Sequence, residues 1–122
     1  MKKYKLIFFV LFLNYIGYSQ NTVGTIVNNE EAYDGYTLFT VNKETYLVNN
    51  CGQIMNQWTS AYNSGKSVYL LENGNLLRAS AGPNPANIAI PGIGGRVELF
   101  DWEGNVLWEY VYSDLNVSQH HD

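Results

Sequence analysis

The residues best suited to chemistry stand together at His120-His121-Asp122, and they include both histidines of the chain. Imidazole is a neutral nucleophile and proton carrier near pH 7, and an adjacent carboxylate can hold it in one orientation. The same triplet is also what a solvated tail or part of a metal site contains, and alone it is a weak motif. Arg78 and Arg96 are the cations that could hold an oxyanion. Each ends or starts a β-rich run beside a long loop, where a solvated arginine is the default reading. Cys51 is the sole cysteine, which excludes an internal disulfide, and it falls in a turn with no histidine beside it.

The elements that must position these groups are repeated hairpins. Residues 45–58 (TYLVNNCGQIMNQW) and 97–110 (VELFDWEGNVLWEY) share one pattern at an offset of 52. Leu47 falls on Leu99, Asn49 on Asp101, Gly52 on Gly104, Ile54 on Val106 and Trp58 on Tyr110. A period of about 40–50 residues built from short strands and glycine turns points to propeller blades rather than to a helical solenoid. Two unrelated hairpins of a small sandwich are the plainer alternative.

Further β-rich runs cover residues 37–41, 67–72 and 76–79, the last two flanking Asn73-Gly74-Asn75, a strong hairpin signal. No window shows sustained helical periodicity. The expected fold is all-β: antiparallel four-stranded sheets, about the first two blades of a propeller. One blade spans residues 67–112, and the residues before it make a less complete unit. Residues 81–95 (AGPNPANIAIPGIGG) hold all three prolines and read as a loop across one face. Trp58, Trp102 and Trp108 are expected to pack between blades.

Residues 1–19 read as a secretory signal peptide: a basic start at Lys2, Lys3 and Lys5, the apolar run LIFFVLFL, then Gly17-Tyr18-Ser19. That run is too short to span a bilayer, which needs about 20 apolar residues. The expected protein is therefore exported, with no membrane span after cleavage. The remaining 20–122 keep Lys43, Lys66, Arg78 and Arg96 against eleven carboxylates, a net charge of −7. Such a surface repels phosphate backbones, so no nucleic-acid partner is expected.

Five stretches, taken in order, carry a resemblance: EAYDGYTL, ETYLVNNCGQIMNQW, SVYLLENGNLL, GGRVELFDWEGNVLW and the closing HHD. Together they resemble the start of the bacterial arylsulfotransferases, exported enzymes that move a sulfuryl group between phenols. The resemblance implies a six-bladed propeller with a central cavity. It implies a small phenolic sulfate donor, a phenol acceptor and a sulfohistidine intermediate, with no nucleotide donor and no cofactor. His120 and His121 match the family's first histidine element, so the role carried over is substrate contact and acid–base assistance. The family's nucleophile corresponds to a position beyond Asp122. The chain is then expected to be an amino-terminal fragment that lacks the carboxy-terminal blades. A non-catalytic exported propeller that binds a protein or glycan on its loop face is the competing class.

Overall fold

The computed structural model describes residues 24–85, 87 and 94–121. The expected leader and Asp122 lie outside them. Seven strands form two antiparallel sheets, and no helix occurs among the described residues. In the first sheet β1 (Tyr36–Val41), β2 (Glu44–Asn49) and β3 (Ile54–Thr59) lie in that order. In the second, β4 (Ser64–Leu70), β5 (Leu76–Ala81), β6 (Gly95–Phe100) and β7 (Val106–Val111) follow the same rule. The expectation of four-stranded sheets thus holds for the second and is corrected for the first, which has three strands. The strand expected over 67–72 begins earlier, at Ser64, because the Ser64 amide bonds the Asn42 carbonyl at 2.7 Å. It ends earlier too, since Leu71 and Glu72 enter the turn.

One turn is used three times. The Asn49, Leu71 and Asp101 amides donate to the carbonyls of Gln53, Asn75 and Asn105, and the Gly52, Gly74 and Gly104 amides donate back. Each glycine has positive φ, at 75°, 85° and 91°. This is a three-residue hairpin loop closed by a left-handed glycine, the conformation that glycine adopts at least cost. The Asn73-Gly74 pair therefore marks a hairpin, but a longer one than a two-residue turn. The Asp101 carboxylate accepts bonds from the Asn105 amide and side chain at 2.7 and 2.8 Å. These bonds, the side-chain one foremost, hold its pKa below the usual carboxylate value. Asn49 does the same work in the first sheet, accepting from the Gln53 amide at 3.0 Å.

The two sheets share their register as well as their turns. A bulge interrupts β2–β3 at Leu47/Val48 and β6–β7 at Leu99/Phe100, again 52 positions apart. Leu38 pairs with Leu47 as Leu77 pairs with Leu99, which makes β1 the counterpart of β5. The Asn42-Lys43 turn of the first sheet is replaced in the second by the long connection into Gly95. Beside β1, the described residues hold no counterpart of β4.

The sheets pack on a core of Leu47, Trp58, Leu76 and Phe100, with Leu38 and Val68 against it. Trp58 is 1% exposed. Its indole N–H donates to the Asp101 carbonyl at 2.8 Å, and its ring meets Trp102 edge-on at 5.5 Å. Asn56 adds a bond to the Trp102 carbonyl at 2.8 Å. Each large apolar side chain buried here contributes about 2–3 kcal/mol. Trp58 and Trp102 thus join the sheets as expected. Trp108 corrects the third part of that expectation, because it lies exposed on β7, away from the interface.

The expectation of solvated arginines is also corrected. Arg78 sits inside β5 and is 1% exposed, as is Glu98 on β6. The two are paired across the strands and bonded at 3.1 Å. Ser80 Oγ donates to the same carboxylate, and Ser60 Oγ adds a third bond at 2.7 Å. The guanidinium further donates to the Asn42 carbonyl at 2.9 Å and the Tyr62 carbonyl at 3.2 Å. Burial lowers the Arg78 pKa, and the Glu98 charge opposes that loss. Arg96 is also buried, its guanidinium 3.9 Å from the Tyr62 ring centre and 2.7 Å from Glu109. Neither arginine is free to greet a ligand. Among the described residues, no helix is long and apolar enough to cross a membrane.

Two outcomes follow from these contacts. Arg78→Ala strands a buried carboxylate and should cost about 3–5 kcal/mol in urea unfolding of residues 20–122, whereas the apolar pair Arg78→Met with Glu98→Leu should cost far less. Equal losses in both would contradict the assignment. The Asp101 pKa is depressed in the folded chain, so its stabilisation is complete above the ordinary carboxylate value of about 4 and is lost as pH falls through the folded value. Asp101→Asn should keep the turn and flatten part of that acid limb; an unchanged limb would refute the role.

Candidate functional site

The chain leaves β7 and turns back at once. The Asp114 carboxylate accepts from the Asn116 and Val117 amides at 2.7 and 2.9 Å, an arrangement that lowers its pKa. Ser113 and Ser118 form an isolated antiparallel bridge across this turn. The tail then runs beside the start of β4, and His121 bridges Lys66 in parallel orientation. Neither histidine is buried.

Gln119 fixes this approach from both ends. Its backbone exchanges bonds with Tyr112 and Gly94 at 2.9 and 3.1 Å, and its side-chain oxygen accepts from the Gly95 amide at 2.9 Å. Its side-chain nitrogen donates to the His121 carbonyl at 2.8 Å, which also accepts from Ser67 Oγ at 2.7 Å. A Cβ at Gly94 would collide with the Gln119 side chain, so the glycine is what admits this contact. The sequence reading of Gly94-Gly95 as plain loop residues misses this.

The structure therefore brings His120 and His121 together, their ring centres 3.9 Å apart and tilted by 38°. It also bridges the backbone of His121 to that of Lys66, which the sequence offered only as one of four cations. Lys66 and His121 share an uncommon backbone, with φ of 89° and 63°. Lys66 stands in the irregular stretch of β4, between the paired residues Ser64 and Val68, where a bulge re-aims side chains. Each comes after the last strand of a sheet in chain order, Lys66 after β3 and His121 after β7. Non-glycine residues with positive φ concentrate at sites where the surrounding structure holds them, and this pair is joined by a bridge. No signal in the local sequence marks Lys66, because its place depends on a partner at the far end of the chain. Arg78 and Arg96 remain outside this group, committed to Glu98 and Glu109.

Chemically, the arrangement offers two adjacent imidazoles at an exposed strand start. Imidazole N–H groups can donate hydrogen bonds to an oxyanion. No protein-family model, curated protein or solved structure matches the chain. Gln119→Ala and Ser67→Ala each remove a bond that seats the His121 carbonyl. Both variants should change global stability by only about 1 kcal/mol, while Gln119→Ala also speeds hydrogen exchange at the Gly95 amide. Unchanged exchange there would show that Gln119 does not hold the tail.

Proposed function

We propose that the chain is the amino-terminal part of an exported aryl-sulfate sulfotransferase, with two stacked sheets serving as successive blades of a propeller. The observation that carries this reading is the return of His120 and His121 to the start of β4, the first strand of its sheet, beside Lys66. In a blade arrangement the first strand faces the central cavity, where a sulfate ester would be held. The ordered resemblance of five sequence stretches supports the same reading.

The chemistry fits the groups present. Sulfuryl oxygens spread their negative charge, and fixed cationic donors stabilise it as it shifts during transfer. One imidazole can protonate the departing phenolate, and the second can contact the sulfuryl group. Transfer from donor to acceptor phenol in two steps needs a further nucleophilic histidine, which this reading assigns to a later blade. The chain alone then binds without turning over.

The test is a titration with 4-nitrophenyl sulfate, followed by the ring resonances of His120 and His121. Saturable shifts without release of 4-nitrophenol are expected, and His120→Ala and His121→Ala should each weaken them. In a parent carrying the further blades, the cavity-facing histidine should lose about two orders of magnitude in turnover when replaced by Ala. Absent shifts here, with near-parental turnover there, would favour the non-catalytic binding propeller.

A further inference from the structure

One surface of this chain is exposed although its counterpart in the same chain is buried. Leu38, Thr45, Leu47, Asn56 and Trp58 share the face of the first sheet that packs on the second. Register equivalence places Leu77, Val97, Leu99, Trp108 and Tyr110 on the matching face of the second sheet. Thr45 is 0% and Trp58 1% exposed, while Trp108 is 49% and Tyr110 53% exposed. The rings of Trp108, Tyr110 and Tyr112 stack along the strand at 6.1 and 6.4 Å, with interplanar angles of 6° and 18°. None of these side chains carries a charge at neutral pH. A contiguous exposed aromatic stripe of this kind marks an interaction site.

The complementary surface is also present. The second sheet receives the first on the face bearing Arg78, Ser80 and Glu98. By the same register their counterparts in the first sheet are Phe39, Val41 and Tyr46. These three line an open hollow of about 750 Å³ together with Asn42, Lys43, Glu44 and Asn63. Gly24, Thr25, Val27 and Asn28 line a second hollow with Thr37 and Val48, at the opposite end of that face. Phe39 lines this second hollow too and is half-buried, as is Tyr46, so the face is most open at Val41, which is 50% exposed.

We propose that, in residues 20–122 on their own, a second copy docks its Phe39–Tyr46 face onto the Trp108–Tyr110 stripe, the place a later blade would take under the proposed function. The contact between copies then repeats the sheet-on-sheet contact within each copy. The occupant follows from the chain itself, which presents one open surface of each kind that it joins internally. Such a contact is heterologous, so it propagates into a closed ring or an open chain according to whether its rotation closes. The three-stranded face limits the patch to about 15 Å by 20 Å, smaller than a stable interface, so the association is weak and concentration-dependent.

Sedimentation equilibrium of residues 20–122 provides the test. The wild type should exceed dimer mass as concentration rises. Tyr110→Glu alters the stripe and Val41→Glu alters the hollow, so each variant alone should stay monomeric, and their equimolar mixture should stop at a dimer. Hydrogen exchange on the wild type gives a check independent of folding in the variants, with β1 and β7 protected together at high concentration. A monomeric wild type overturns the proposal. So does a dimer insensitive to Val41→Glu, which would mean that two aromatic stripes face each other.

Discussion

The ionic group at Arg78 is the constraint on which the arrangement of the two sheets depends. Its guanidinium reaches the turn after β1, the connection before β4 and the Glu98 carboxylate on β6. Backbone bonds from Ser60 to Lys43 and from Ser64 to Asn42 already join the first two segments, and the arginine ties that junction to β5 and β6. Burying the pair is costly unless its charges are met; both Nη atoms of Arg78 are bonded, while its Nε is buried without a partner. Ser60 and Ser80 complete the carboxylate's shell. The result is a polar clamp beside the apolar contact of Trp58 with Leu76 and Phe100.

The same backbone unit carries different chemistry in its two copies. Where the second sheet pairs Arg78 with Glu98, the first pairs Phe39 with Tyr46, their rings 5.5 Å apart. Where Arg96 bonds Glu109, the equivalent Glu44 accepts from Gln57 at 3.0 Å. The register, bulge and glycine turn persist through these exchanges. Backbone geometry is therefore set by turn chemistry and alternation, and the side chains decide which faces meet. This division also accounts for the exposed stripe on β7, where aromatic residues stand without a covering sheet among the described residues.

Local signals carried much of the fold. Gly52, Gly74 and Gly104 announce their hairpins because each must adopt a left-handed backbone, and alternation of apolar residues marks the flanking strands. The four strands from Ser64 to Val111 were legible on those grounds. Non-local facts were not. Arg78 and Arg96 read as solvated because charge alone predicts exposure, and their burial rests on partners that only folding brings near. Trp108 looked like Trp58 in composition but lies on the face of the second sheet turned away from the interface. At the candidate site, His120 and His121 were visible as residue types, whereas Lys66 and Gln119 became part of the group only through the tail's return to β4. The matching positive φ of Lys66 and His121 has no counterpart in hydropathy or spacing.

The tail's position follows from the same clamp, because β4, which it lies beside, is held at its beginning against the first sheet by Ser64, bonded to Asn42 and Thr40. Anything that loosens Arg78 would then loosen the place where the histidines land. The direct measurement is NMR observation of the Arg78 side-chain Nη–H protons in residues 20–122 at neutral pH. The structure predicts separate resonances that exchange slowly with water and show cross-relaxation to Tyr62 and Ser80. A single averaged, rapidly exchanging signal, as from an arginine in solvent, would contradict the clamp and with it the account of how the two sheets are joined.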